Sequence, residues 1–364
     1  MKTLAICSLE LKKRGLCEHA IDFVLCNQNL VFGMMDIANP YSKNIDEEDV
    51  LIRIEAFSCN YRDKSLILIF NDMCRNKSKN GQLFYTPFGS EFVATVLQVG
   101  KRVQTLKVGD RVIPDGAYPI KVDGRMGALP TNCASQRFQV FHWSYLVKVP
   151  DEMPNESAAS FTIAGQTVFS MIRKLQLKSG EKVLVTAATS NTSLAAISAL
   201  KGLGVDVYAC STSKSRIETL MSMGVKSFFS SESLKNNPDY LPHFDAVIDP
   251  FLDIYFCDVI KLLNIGGRYI TCGNYNQNSF FPKSSIVNQD VNSILNHCII
   301  NNISIIGNCL GTREDLENAI TSYQKGQFDI VIDSVYTETD INSFLSKTFH
   351  LTPRFGKVVF KYEL

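Results

Sequence analysis

Residues 182–213, KVLVTAATSNTSLAAISALKGLGVDVYACSTS, constrain the fold more than any other stretch of this chain. Val183, Leu184 and Val185 form a short apolar run suited to a strand buried on both faces. Leu194, Ile197, Ala199, Leu200 and Leu203 then recur at roughly helical spacing, and Gly202 and Gly204 close that helix. Val205, Val207 and Tyr208 begin a second strand. Strand, turn, helix and strand within about thirty residues make a βαβ unit. Such a unit is one half of a doubly wound sheet, with a nucleotide phosphate expected at the helix N-terminus.

The turn between the first strand and the helix departs from the usual nucleotide-binding pattern. A G-x-G-x-x-G-like turn would place glycines where Thr189, Ser190, Asn191, Thr192 and Ser193 stand. This turn admits two readings. The hydroxyls and the Asn191 amide can donate to a pyrophosphate beside the backbone N–H groups. Alternatively, the Ser and Thr residues merely cap an ordinary crossover helix.

At 364 residues the chain is long enough for two domains. Its net charge is +1 with both signs scattered, so no charge-driven footprint for nucleic acid or an anionic membrane is present. Eleven cysteines, at 7, 17, 26, 59, 74, 133, 210, 257, 272, 298 and 309, include no C-x-x-C pair. Their dispersal argues against a zinc ribbon, and their odd number against a disulfide framework, which leaves free thiols in a reducing compartment. The opening MKTLAICSLELKKRG breaks its apolar stretch with Glu10, Lys12 and Lys13 and makes a poor signal peptide. No apolar run has the length of a bilayer span. A soluble cytoplasmic protein is expected.

Residues 1–150 read as β-rich. Residues 50–56 (VLIRIEA) alternate, 92–99 form an apolar strand-like run, and 107–112 (KVGDRV) turn into another strand, with Pro114, Gly116 and Pro119 punctuating the residues beyond it. A helical pattern starts at Ala158. Beyond Gly180 strands and helices alternate: helix over 217–223, strand over 246–249, helix over 254–263, a turn at Gly266-Gly267 and a strand over 269–272. That alternation predicts a parallel sheet covered by helices. A further helix is expected over 315–323 and a last strand over 356–360.

Several stretches, in this order, carry a family resemblance: CNYRDK (59–64), FGSEF (88–92), VGDRVIPDGAYP (108–119), AGQTVFSMI (164–172), VLVTAATSNTSLAA (183–196), GGRYITCG (266–273), GTREDLENAI (311–320) and RFGKVVF (354–360). Together they resemble the medium-chain dehydrogenase/reductase superfamily over nearly the whole chain. The resemblance implies an α/β fold: a β-rich GroES-like catalytic domain over 1–155, completed by 325–364, and a Rossmann dinucleotide-binding domain over 156–324.

Departures from the family pattern bear on the chemistry. Zinc alcohol dehydrogenases of this superfamily hold zinc through a Cys, the His of a G-H-E motif and a second Cys. Here Cys59 stands at the first position, Ser90 replaces the His within Gly89-Ser90-Glu91, and Ile163 and Ala164 stand near the third. These residues do not supply the ligands that zinc requires. The resemblance is therefore to the zinc-free branch with its quinone and enoyl reductases, and no metal is expected. At the end of the second strand of the βαβ unit, residues 210–216 (CSTSKSR) contain no carboxylate for a ribose hydroxyl. Ser211 with Lys214 and Arg216 suits a 2′-phosphate, so NADPH is expected rather than NADH. The alternative is a solvated helix start with surface basic residues.

Carried over by position, Asn60 resembles the Asn that contacts the nicotinamide ribose, and Thr167 the Thr beside the nicotinamide. Gly273, Asn274 and the backbone from Asn308 to Leu310 would line the cofactor. Without a Lewis acid, reduction of a carbon–carbon double bond conjugated to a carbonyl is the accessible chemistry, because it needs hydrogen-bond donors and a positioned acid. Tyr61 is the first candidate for the acid and Lys64 the second, with Asp63 in the same motif. The alternatives are that Tyr61 packs, that Asp63 and Lys64 pair with each other or with Arg62, and that Cys59 is a bystander thiol.

Residues 190–194 (SNTSL) and Pro130-Thr131-Asn132 resemble a subgroup from natural-product pathways, the dehydroalanine reductases of lantibiotic biosynthesis. That resemblance implies a dehydrated peptide as substrate and D-alanine as product. Two rivals are a small-molecule quinone or enone reductase and a non-catalytic NADPH-binding protein. Relatives of this kind often form homodimers.

Overall fold

The computed structural model describes residues 1–38, 44–116, 118, 121–122, 125–126, 129–236, 243–277, 291–350 and 353–363. Pro119 lies outside the described residues. The chain divides into two compact units, Met1–Ile163 with Ile332–Leu364, and Ala164–Val331.

In the first unit, strand Lys2–Cys7 pairs antiparallel with Gln28–Asp36 and with Tyr85–Thr86, and Glu18–Leu25 completes a four-stranded sheet. Leu25 faces Gln28 across Cys26 and Asn27, whose φ angles of 50° and 61° suit a type I′ hairpin turn. A seven-stranded sheet runs Leu146–Lys148, Arg111–Pro114, Glu91–Val99, Asp49–Ser58, Lys357–Lys361 and Ile332–Tyr336, with Phe138–His142 also paired to Asp49–Ser58. The expected strand at 50–56 is Asp49–Ser58, and it is covered on both faces rather than one. Phe57 on this strand packs edge-on against Phe88 and Phe344 and at a tilt against Phe360 and Tyr362. Each such ring pair contributes about 0.5–1.5 kcal/mol beyond its buried area, and together they fasten the C-terminal return to the N-terminal sheet. Helix Tyr61–Lys79 interrupts the stretch read as β-rich. Its apolar run at 66–70 is compatible with either period, and the helix start lies inside the motif at 59–64.

The second unit holds six parallel strands in the order Ser227–Ser230, Asp206–Ser211, Lys182–Val185, Phe244–Asp249, Leu263–Thr271 and Ser304–Gly307. The order reverses beside Lys182–Val185, which creates the crevice where doubly wound sheets bind nucleotides. Strand Lys182–Val185, helix Asn191–Leu200 and strand Asp206–Ser211 occupy the βαβ stretch. Val183, Leu184 and Val185 are fully buried, and Gly204 with φ 68° ends the turn after the helix.

The glycine pair at 266–267 corrects the sequence reading. It is not a chain reversal: both residues lie inside strand Leu263–Thr271. Pairing with Phe244–Asp249 slips there, from Phe244–Leu263 to Ala246–Arg268, and Gly266 takes φ 77°. A glycine inside a strand absorbs such an irregularity without steric penalty. No helix among the described residues is long and apolar enough to cross a membrane.

Candidate active site

The motif at 59–64 forms the N-terminus of helix Tyr61–Lys79. Asn60 is its N-cap and Asp63 its third residue, and the two make a capping box. The Asn60 backbone N–H donates to Asp63 Oδ2 at 2.7 Å, Ser90 Oγ donates to the same oxygen at 2.6 Å, and Arg62 bonds Asp63 Oδ1 at 3.2 Å. Burial pushes the Asp63 carboxyl above its ordinary range, against the hydrogen bonds from Asn60 and Ser90. Both oxygens thus hold the helix start, and of the partners anticipated for Asp63 the structure shows Arg62. Tyr61 and Lys64 lie half-buried on the same first turn.

A buried ion pair stands behind this turn. Glu91 and Lys357 are 0% and 1% exposed, and Lys357 Nζ donates to Glu91 Oε1. The same oxygen accepts from Ser58 Oγ and Asn60 Nδ2, each at 2.8 Å, while Glu91 Oε2 accepts from the Ile163 N–H at 3.0 Å. Lys357 Nζ also donates to Asn60 Oδ1 at 2.7 Å. A buried carboxylate is tolerable only with an opposite charge and saturated lone pairs, and this set supplies both. The consequence for Asn60 is orientation. Its amide hydrogens point to Glu91 and to Ser90 Oγ (3.3 Å), and its Oδ1 accepts from Lys357.

Sequence reasoning placed a strand over 356–360 and gave Lys357 no role. A charged residue within FGKVVF was the available signal, since a lysine in an apolar strand requires a buried partner.

These residues do not fit a catalytic zinc. Ser90 is committed to Asp63, Glu91 is neutralised by Lys357, and Ile163 contributes a backbone N–H. Burial holds the Cys59 thiol well above its ordinary value, and the Asp63 charge adds to this. Among the described residues no group of His, Cys, Asp and Glu is arranged to hold a metal.

In the Ala164–Val331 unit the predicted cofactor residues lie at or follow the carboxyl ends of the parallel strands, except Thr167, which lies on helix Phe161–Leu175. Ser190 caps helix Asn191–Leu200 by accepting from Ser193 N–H, and Ser193 Oγ donates to the Thr186 carbonyl at 2.6 Å. Ala187 takes φ 44°, the left-handed conformation that a glycine would otherwise supply. The turn therefore holds one left-handed residue without a glycine. Asn191 and Thr192 are half-buried at the helix start, and Asn191 Oδ1 is buried without a hydrogen-bond partner among the described residues. A buried acceptor left without a partner is what a ligand hydroxyl would satisfy, so the site fits a dinucleotide.

Beside this turn, Thr189 Oγ1 lies 3.2 Å from Ser211 Oγ, and Ser213 and Ser215 continue a run of hydroxyls to exposed Lys214 and Arg216. Gly273 lies at the next strand end, where a Cβ would come within 3.1 Å of the Pro250 carbonyl, and Asn274 beside it is exposed. Asn308 is committed internally: Oδ1 accepts from Ser170 at 2.9 Å, and Nδ2 donates to the Leu310 carbonyl at 3.0 Å and the Thr167 carbonyl at 3.5 Å. The Asn308 side chain thus shapes the Leu310 backbone, itself at φ 49°, and ties it to Thr167. One group that sequence reasoning did not assign fixes this edge. Fully buried Asp249 accepts from Thr186 Oγ1 and Tyr269 OH, each at 2.6 Å, and so joins three neighbouring strand ends. Burial raises its carboxyl, and those hydrogen bonds oppose the rise.

Residues 46–151 match the family described as "Alcohol dehydrogenase GroES-like domain", and residues 192–325 match "Zinc-binding dehydrogenase". The acryloyl-coenzyme A reductase of Sulfurisphaera tokodaii is 26% identical over 313 residues, covering 79% of this chain and 84% of that protein. The protein of the same name from Metallosphaera sedula is 27% identical over 308 residues, covering 80% and 86%. Among solved structures, a thermostable alcohol dehydrogenase from Pyrobaculum aerophilum superposes with a TM-score of 0.73 over 95% of this chain and 99% of its own. At 22% identity that likeness establishes the fold alone.

Proposed function

Because this chain belongs to the medium-chain dehydrogenase/reductase superfamily of oxidoreductases, we propose that it reduces a carbon–carbon double bond conjugated to a carbonyl, using NADPH. One observation carries the reading: at the positions that hold zinc in related alcohol dehydrogenases, Ser90 is bonded to Asp63 and Ile163 offers only a backbone N–H, which is bonded to Glu91. Without zinc, a developing oxyanion is stabilised by hydrogen bonds and a side chain delivers the proton, which is chemistry that enone reduction can use. The two acryloyl-coenzyme A reductases that resemble this chain support the same reaction class.

When bound, the reduced nicotinamide supplies a hydride to the β-carbon. In the proposed mechanism Tyr61, on the first turn of its helix, delivers the proton to the α-carbon, with Lys64 as the runner-up. Asn60, oriented by Glu91 and Lys357, fixes where that turn begins. Cys59 takes no part.

The finer proposal concerns the acceptor. Acryloyl thioesters and dehydroalanine share a terminal methylene conjugated to a carbonyl. Residues 190–194 and 130–132 resemble the dehydroalanine reductases of lantibiotic biosynthesis, and on that resemblance the acceptor is the peptide-borne form, dehydroalanine converted to D-alanine in a lantibiotic precursor. Incubation with NADPH should add two hydrogens to a dehydroalanine peptide, read by mass. Turnover confined to free quinones would return the small-molecule alternative, and no NADPH oxidation with any acceptor would favour a non-catalytic binder.

The cofactor preference has its own test. Alanine at both Lys214 and Arg216 is expected to weaken NADPH binding by about tenfold or more, since each charge-assisted hydrogen bond contributes roughly 1.5–3 kcal/mol before solvent screening. NADH binding should hardly change. Calorimetric titration showing equal losses for both cofactors would remove the 2′-phosphate role.

A further inference from the structure

Strand Lys2–Cys7 of the first unit ends in a thiol that meets another. Cys17 follows helix Leu9–Lys13 and a left-handed turn at Gly15 (φ 65°), which bring the chain back beside the strand. The Cys7 and Cys17 sulfurs are 3.3 Å apart, and the residues are 3% and 6% exposed. Room for this contact depends on Gly33 in the neighbouring strand, because a Cβ there would fall 2.2 Å from Cys17 Sγ. On its other side Cys7 borders a cavity of about 600 Å³ that is also lined by Ser8, Asn71 and Cys74. Cys74 is turned to a different partner, its sulfur lying 3.6 Å from the Ile6 carbonyl.

We propose that Cys7 and Cys17 form a reversible disulfide on exposure to a hydroperoxide, a modification separate from the reductase chemistry. One sulfur of the touching pair attacks the peroxide: an S–O bond forms and the O–O bond breaks, giving a sulfenic acid and the alcohol or water from the peroxide. The other sulfur then attacks the sulfenic sulfur, the S–S bond forms, and the oxygen leaves as water. Two electrons pass from the sulfur pair to the peroxide, and a dithiol reductant returns them. Because the two sulfurs already touch, little backbone movement is needed.

The test treats the full-length protein with hydrogen peroxide, blocks remaining thiols with N-ethylmaleimide, and digests it without reduction using trypsin and Glu-C. Cleavage after Lys2, Glu10, Arg14 and Glu18 separates Cys7 from Cys17, and Cys17 from Cys26. The expected product is peptide 3–10 joined to peptide 15–18, two hydrogens lighter than the sum, lost on adding dithiothreitol and absent from Cys17→Ser. Maleimide on both cysteines at a peroxide dose that oxidises exposed Cys309 would overturn the proposal. A Cys7–Cys74 link would overturn it equally.

Discussion

Tyr61→Phe is expected to lower turnover by about 10²–10⁴-fold, the usual contribution of a positioned general acid. NADPH affinity should scarcely change, because the ring that occupies the first turn of helix Tyr61–Lys79 is retained and only the hydroxyl is lost. Solvent can still protonate the enolate slowly, so the residual product should show eroded stereochemistry at the α-carbon. Lys64→Met, assayed in parallel, tests the runner-up. Full rate and full stereochemical purity in Tyr61→Phe would make Tyr61 a packing residue and leave the acid elsewhere.

A second large effect is expected at Lys357. Replacing it with Met leaves Glu91 buried without its counter-charge, a change that destabilises proteins by about 3–5 kcal/mol. Adding Glu91→Gln removes the stranded charge and should recover part of that loss, since the amide carbonyl can keep one of the two acceptor positions, the one facing Ser58 or the one facing the Ile163 N–H. Denaturant unfolding of the wild type, both single variants and the double variant measures this coupling. Losses that simply add would mean that the two residues act independently, and that Asn60 is not held by their pairing.

The βαβ unit could be read from sequence because its signals are local: a three-residue apolar strand, helical spacing from Leu194, and glycines that end the helix. Its turn was harder. The left-handed backbone there is taken by Ala187, so a search for glycines finds none although the conformation is present. The Gly266-Gly267 pair misled for the opposite reason, because the same residues that reverse a chain also absorb a slip between parallel strands. Helix Tyr61–Lys79 was hidden by its motif, which was read for chemistry while Asn60 and Asp63 were serving as its cap. Pairings distant in sequence carry no local signature. Lys357 meets Glu91 across 266 positions, and Thr186 and Tyr269 converge on Asp249 from separate strands. Individual polar residues in apolar strands could be noticed, but only the folded chain says which of them meet.

Hydride placement bears most directly on the proposed reaction. NADPH deuterated at the transferring face of nicotinamide C4 would be incubated with a dehydroalanine peptide and, separately, with an acryloyl thioester, in ordinary water. Deuterium is expected in the methyl group made from the terminal methylene, with a solvent-derived proton at the α-carbon. Deuterium at the carbonyl carbon, giving an alcohol or aldehyde, or a product without deuterium, would contradict conjugate reduction of the double bond.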